Sequence, residues 1–317
     1  LSTTVRAEGD SDQTIARVVW YYYVGNMTQQ EIADRLGLTR LRVNRIIGQA
    51  RAIGAVRIDV RLPLADCVAL GAALAERYAL QAVTVVPAMP DVAEQRRVIG
   101  EEVVQMLDPL LTEGMGLGIG WGRTLRASMA RLPRRSLSGS WVVSLMGGLT
   151  HGSGLDSFEV SSQFAQALGA ECWYLVAPLY CPSEESRRML LSHRDLADAM
   201  RRAREVDVAL LTCGDLSPMS LIAELTAVRE HREALQAAGA VGDMLGTFLD
   251  ETGRVVDHEL NRRVMAISAE ELRQVPTSIL ASGGLHKVPI LRGILTGGFV
   301  NRVVTDEACA RALLSGP

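Results

Sequence analysis

At 317 residues the chain is long enough for two domains, and its 48% hydrophobic and 22% charged residues exclude a disordered or low-complexity protein. A net charge of -3 would argue against nucleic-acid binding if it were spread evenly, but it is not. Between Arg35 and Arg61 the basic residues Arg35, Arg40, Arg42, Arg45, Arg51, Arg57 and Arg61 meet Asp59 alone, a basic island on an acidic protein. Cys67, Cys172, Cys181, Cys213 and Cys309 are odd in number and lack any C-x-x-C, which excludes a disulfide framework or zinc knuckle and fits a reducing cytoplasm. No apolar run approaches the roughly 18 residues of a membrane span, so no membrane partner is expected.

Leu1–Gln13 is polar and acidic and reads as a disordered lead. From Thr14 a helical stripe of Ile15, Val18, Val19 and Tyr22 runs to the stop pair Gly25-Asn26. Thr28-Gln29-Gln30-Glu31 is a capping box that starts a second helix with Ile32, Ala33 and Leu36 inward. Gly37 ends it, Leu38 plugs the turn, and Thr39 caps a third helix whose apolar stripe is Val43, Ile46, Ile47 and Ala50. Helix, short glycine turn, helix is the helix-turn-helix plan, in which the second helix of the pair enters the major groove. Thr28, Gln29 and Thr39 stand at the two helix starts, and Arg40, Arg42, Asn44, Arg45 and Gln49 give the recognition helix both phosphate-binding and base-reading chemistry. The alternation of Val56, Ile58 and Val60 with Arg57, Asp59 and Arg61 predicts a strand over Ala55–Arg61, placed as a wing along the phosphates. Pro63 ends it, so the DNA-binding domain is set at 14–61 and a second domain at 62–317.

Beyond that boundary short apolar strands alternate with helices. Strands are predicted at Ala82–Val86, Met115–Ile119, Trp141–Leu145, Glu171–Val176, Val206–Thr212, Ser278–Ala281 and Val300–Val304, and helices at Leu64–Tyr78, Val92–Leu111, Arg123–Arg131, Ser157–Leu168 and from Asp306. The pattern is that of a doubly wound, Rossmann-like parallel sheet with helices on both faces. Strand after strand ends in glycine and then polar residues, at Gly120–Thr124, Gly147-Gly148 to His151, Gly214-Asp215 and Gly283–Lys287, and the carboxyl ends of parallel strands form the ligand crevice. Gly114–Leu125 is the densest of these: Gly118, Gly120 and Gly122 admit a ligand close to the backbone, Thr124 adds a hydroxyl and Arg123 a phosphate-forking charge. The stretch matches neither a Walker motif nor the dinucleotide fingerprint, and the same glycines also suit a tight turn without a ligand. Gly242–Arg254 reads as a strand, an Asp-Glu-Thr-Gly turn and a return, with Asp243 placed to hydrogen-bond sugar hydroxyls. Lys287 is the single lysine in a chain that otherwise uses arginine, which points to a charge on a phosphate or a carbonyl-reactive amine, or to one surface lysine. No metal-ligand spacing occurs, and neither metal nor cofactor is expected.

On Met27–Ala33, Gly118–Thr124, Gly242-Asp243 with Phe248, Ser282-Gly283-Gly284 with Lys287, and Thr305-Asp306-Glu307, the chain resembles bacterial transcriptional regulators of the SorC type, which join a helix-turn-helix to a domain shaped like sugar-phosphate isomerases. These residues span nearly the whole chain. The resemblance implies a homo-tetramer or homo-dimer on operator DNA, controlled by a phosphorylated sugar or related polyol. It places the phosphate loop on Gly120, Trp121, Gly122, Arg123 and Thr124, the carbohydrate-contacting acid on Asp243 and the lysine on Lys287; Gly147 and Gly148, at a polar strand end, and Phe248 are read as further effector-binding residues. Relatives that sense a bisphosphorylated sugar carry arginines where Met146 and Asp215 align here, which implies a monophosphate or a free polyol such as erythritol. The competing reading is a sugar-phosphate isomerase or deaminase with an added helical front end, using Asp243, His286 and Lys287 as acid and base. It leaves Thr14–Arg61 without a role.

Overall fold

The structure, a computed structural model, describes residues 11–52, 55–56, 64–148, 157–218 and 220–316. The chain divides into two compact units, Leu1–Leu62 and Pro63–Pro317.

The first unit holds three helices, α1 (Asp12–Tyr23), α2 (Gln29–Leu36) and α3 (Arg40–Ala52). Helix α1 starts earlier than its apolar stripe predicts, because the Ser11 side chain caps it by accepting the Thr14 N–H, so Asp12 and Gln13 are helical instead of part of a disordered lead. The capping box of α2 is complete: Thr28 Oγ1 accepts the Glu31 N–H at 3.3 Å and Glu31 Oε2 accepts the Thr28 N–H at 2.7 Å. Gly37 takes a left-handed φ of 62° at the end of α2, and Thr39 Oγ1 accepts the Arg42 N–H at 3.2 Å to start α3. Ile15, Val18, Ile32, Ala33, Val43, Ile46, Ile47 and Ala50 meet in one buried cluster, onto which Val56 packs. Apart from Ala55 and Val56, the wing strand expected over Ala55–Arg61 lies outside the described residues.

In the second unit, α4 (Ala65–Arg77), β1 (Ala82–Val86), α5 (Val92–Leu107), β2 (Gly116–Ile119), α6 (Arg123–Ser128), β3 (Trp141–Ser144), α7 (Ser157–Leu168) and β4 (Glu171–Trp173) come first. Then follow α8 (Glu184–Ser192), α9 (Arg194–Arg204), β5 (Val208–Leu211), β6 (Cys213–Asp215), α10 (Thr226–Ala237), β7 (Gly242–Met244) and β8 (Thr247–Leu249). The chain closes with α11 (Glu259–Arg263), α12 (Ala269–Arg273), β9 (Thr277–Ala281), α13 (Val288–Thr296), β10 (Arg302–Asp306) and α14 (Glu307–Ser315).

Seven strands form a parallel sheet in the order β1-β10-β9-β5-β2-β3-β4. Each strand divides its side chains between two cores with the two-residue period of extended chain: Val142, Val208, Leu210 and Ile279 on one face, Val143, Ala209, Leu211 and Leu280 on the other. From β2 the chain winds outward to β3 and β4, then returns to lay β5 on the opposite side of β2 and winds the other way through β9 and β10. The reversal between β2 and β5 is where a doubly wound sheet opens its ligand crevice.

Two expectations change here. Cys213-Gly214-Asp215 is no loop: it is β6, one strand of a separate antiparallel sheet with β7 and β8. The first reversal after Asp243 falls at Leu245-Gly246, both with positive φ (52° and 78°), as a two-residue hairpin requires. The turn expected at Asp250–Gly253 is present one strand later, closed by Gly253 N–H on Asp250 O at 3.1 Å. No helix among the described residues is long and apolar enough to cross a membrane.

Replacing Thr28 by Ala removes the hydroxyl side of the capping box, and a loss of about 1 kcal/mol is expected. Native-state hydrogen exchange of the α2 amides checks it, with roughly fivefold faster exchange as the expected result.

Candidate functional site

A cavity of about 400 Å³ opens at the carboxyl ends of β2 and β5, where the winding reverses. Its rim on the β2 side is the turn Trp121-Gly122 and the first turn of α6, with Arg123 and Thr124; Thr212–Asp215 face it from the β5 side. Gly122 has a φ of 140°, and a Cβ there would stand 2.4 Å from Thr212 Oγ1, which itself donates to Trp121 O at 2.7 Å. Only glycine lets the two strand ends close so tightly.

The floor is polar and deeply buried. Asp243 of β7, 3% exposed, lies opposite Gly214 in the β6–β7 pair; its Oδ2 accepts the Gly246 N–H at 2.9 Å, and its carboxylate also accepts the Gly214 N–H. Lys287 donates from Nζ to Cys213 O at 2.9 Å. Burial raises the Asp243 pKa to about 7, opposed by the Gly246 N–H, the Lys287 charge and the Gly214 N–H. Asp215, 6% exposed, and Ser220 complete this acidic, hydroxyl-bearing floor.

The cavity lining also carries cationic groups. Arg96 of α5 lines the cavity and faces Arg123; burial, then the Arg123 guanidinium, push its pKa below the ordinary arginine value. Arg123 reaches Glu224 at 3.3 Å, a partly exposed pair of little energetic weight. Arg96 makes no hydrogen bond or salt bridge among the described residues, while its neighbour Arg97 pairs with Glu101 at 2.7 Å.

Of the residues expected to hold the effector, the structure brings Trp121, Gly122, Arg123, Thr124, Asp243 and Lys287 to the cavity. Four do not line it. Gly120 continues the β2–β5 pairing, its N–H donating to Leu210 O at 2.8 Å. Gly147 and Gly148 donate to Met265 O (2.7 Å) and Ala177 O (2.9 Å), and a Cβ on Gly147 would strike Ala177 O at 2.6 Å, so both serve core packing. Phe248 is fully buried and stacks on Tyr180, whose hydroxyl donates to Gly246 O at 2.6 Å and braces the hairpin from behind. The loop residue His151 lies outside the described residues. Gly214-Asp215, read from the sequence as a polar strand end at the crevice, also lines it, whereas Arg96, Ser217 and Ser220 were missed as site residues; the sequence signal for Arg96 is that its helical neighbours three and four positions away, Val92, Ala93, Ile99 and Gly100, include no acid.

In the first unit Arg40, Arg42, Asn44, Arg45 and Gln49 are exposed on α3. Gln29 Nε2 donates to Asn44 Oδ1 at 3.3 Å and ties the start of α2 to the recognition helix. Thr28 and Thr39 use their hydroxyls as helix caps and so fix the starts of α2 and α3. Arg35 stacks over Tyr21 at 4.8 Å and Arg51 donates to Tyr23 Oη at 2.6 Å, so these members of the basic island brace the unit itself.

Residues 63–315 match the family described as "Putative sugar-binding domain", and residues 14–52 match Sigma-70, region 4. The chain is 30% identical over 296 residues to the deoxyribonucleoside regulator of Bacillus subtilis (strain 168), covering 93% of this chain and 95% of that protein. It is 28% identical over 312 residues to the erythritol catabolism regulatory protein EryD of Brucella abortus (strain 2308), covering 97% and 98%. The crystal structure of the full-length sorbitol operon regulator SorC from Klebsiella pneumoniae shares the fold at a TM-score of 0.75 and 25% identity, over 96% of this chain and all of that one. A helix-turn-helix followed by a parallel sheet with a polar and cationic crevice, together with these relatives, defines a class, the effector-responsive transcriptional regulators. Within it the chain belongs to the SorC-like sugar-binding family, whose members matched here are regulators and not isomerases or deaminases.

Because the folded-state pKa of Asp243 lies above its ordinary value of 3.8, its contribution to stability is complete below about pH 4 and is lost as pH rises through about 7. Between about pH 5 and about pH 8 the ligand-free protein is therefore expected to lose about 2–3 kcal/mol relative to Asp243→Asn. Urea unfolding of both proteins at the two pH values checks it.

Proposed function

We propose that the cavity binds a sugar or polyol carrying a single phosphate, and that this ligand controls operator binding by α3. The observation that carries the reading is that one cavity is lined both by the guanidinium groups of Arg96 and Arg123 and by the buried Asp215 and Asp243 with Ser220. A phosphate suits the guanidinium groups, where the backbone of Trp121–Thr124 approaches closely and Thr124 adds a hydroxyl. Ring or chain hydroxyls suit the carboxylates, and a second phosphate there would meet Asp215 and Asp243 in a low-dielectric floor. Lys287 lies at the floor beside Asp243 and tempers that negative charge. Met146, at the other position of interest for a second phosphate, is fully buried and outside the cavity.

On the DNA side, Gln29, Arg40, Arg42, Asn44, Arg45 and Gln49 supply the contacts. The working species is a homo-dimer or homo-tetramer in the cytoplasm, since one helix-turn-helix reads one half-site and paired half-sites lie about 34 Å or a multiple apart.

Thermal unfolding against sugar monophosphates, bisphosphates and free polyols tests the effector. A ligand at 100 times its dissociation constant adds about 2.7 kcal/mol of stability. Monophosphates are expected to give the largest rise, and Arg96→Ala to weaken them at least tenfold while leaving free polyols within about twofold. A rise confined to free polyols, unaffected by Arg96→Ala, overturns the phosphate assignment.

A further inference from the structure

Helix α3 buries Val43, Ile46, Ile47 and Ala50. At about 100° per residue the face opposite that stripe carries Leu41, Asn44, Arg45 and Gly48, with Arg40 on one flank and Arg42 and Gln49 on the other. Two residues on the outermost line are accounted for by no packing contact among the described residues. Leu41 is 79% exposed, the most exposed large apolar side chain among the described residues. Gly48 sits inside a helix, where glycine costs about 1 kcal/mol against alanine, yet a Cβ there would meet nothing within 4 Å. Packing among the described residues requires neither an apolar tip at 41 nor the absence of a side chain at 48.

Both make sense against a groove wall. We propose that Leu41 is a sequence-reading residue that packs on the C5-methyl group of a thymine in each operator half-site, with Gly48, two turns further along the same face, giving the helix the clearance to sit that deep. The proposal rests on the reading of α3 as the recognition helix. Leu41 is in the first turn of α3, the end that reaches base edges in helix-turn-helix complexes, and a thymine methyl is the one apolar feature of the major-groove edge. Arg40 and Arg42 on the flanks are positioned for phosphates, which carry no sequence information, whereas Asn44 and Arg45 share the reading face with Leu41. Gln29 holds the Asn44 amide at 3.3 Å, so Asn44 meets the base edge in a set orientation.

The test uses the full chain and a duplex enriched from a random pool by that chain. Each thymine of the enriched site is replaced in turn by uracil, which differs only in the missing methyl. At one position in each half-site the wild-type protein is expected to lose about threefold to fivefold in affinity, the value of one buried methyl. Leu41→Ala should abolish that loss at the same position and leave the others unchanged, while Leu41→Met should keep it; unfolding curves of both variants should match the wild type because the side chain is exposed. Gly48→Ala is expected to raise the stability of the free protein yet weaken operator binding at least threefold. Equal uracil penalties in wild type and Leu41→Ala at every position overturn the assignment, as does tighter operator binding by Gly48→Ala. If no sequence is enriched at all, the recognition-helix reading fails and this assignment with it.

Discussion

A parallel sheet covered on both faces has one place left for polar chemistry, and this protein's second unit is built around that constraint. With Val142, Val208 and Ile279 committed to one core and Val143, Leu211 and Leu280 to the other, neither face of the central strands can admit a ligand. Only the strand ends remain, and where the winding reverses between β2 and β5 the segments that follow these two paired strands border a cavity. The small antiparallel sheet then closes the bottom. Because β6 leaves β5 after a single residue, Asp243 on its neighbour β7 is carried directly beneath the crevice.

That placement sets the electrostatics. A carboxyl group taken out of water raises its own pKa, and here backbone donors from Gly214 and Gly246 and the charge of Lys287 restrain the rise without cancelling it. The result is a floor whose ionisation sits within the physiological range. Arg96 and Arg123 also line the cavity close enough to repel each other, a repulsion eased on the Arg123 side by Glu224. These are the groups that the proposed ligand, with one anionic and one hydroxylated part, would meet. The helical unit divides α3 in the same way: its buried stripe fixes one side, and Arg40, Arg42, Asn44, Arg45 and Gln49 stay exposed on the other.

Much of this was legible in the chain. The capping box at Thr28–Glu31, the glycine stop at Gly37 and the stripe Val43–Ala50 are local signals, read without knowing any distant contact. Strands β1, β2, β3, β5, β9 and β10 announced themselves as short apolar runs bounded by glycine or polar turns. The site was only partly legible. Trp121–Thr124, Asp243 and Lys287 were marked by glycine spacing, by a turn and by a solitary lysine, and they do converge. Gly147, Gly148 and Phe248 bore similar marks but serve packing against Ala177, Met265 and Tyr180, partners far away in the chain.

The sequence by itself therefore determined the elements whose causes are local: the caps, the amphipathic stripes, the alternation of strand and helix, and the basic face of α3. Tertiary structure alone decided which glycine loops open onto a cavity and which close on a core, because that depends on strand order, and strand order is set by pairings between residues as distant as β2 and β5 or β1 and β10. It also brought Arg96 across from α5 to face Arg123, and turned Cys213–Asp215 from a loop into the strand that holds Asp243 out of water. Charge and burial act through space, and the chain order of these residues carries no record of the distances between them.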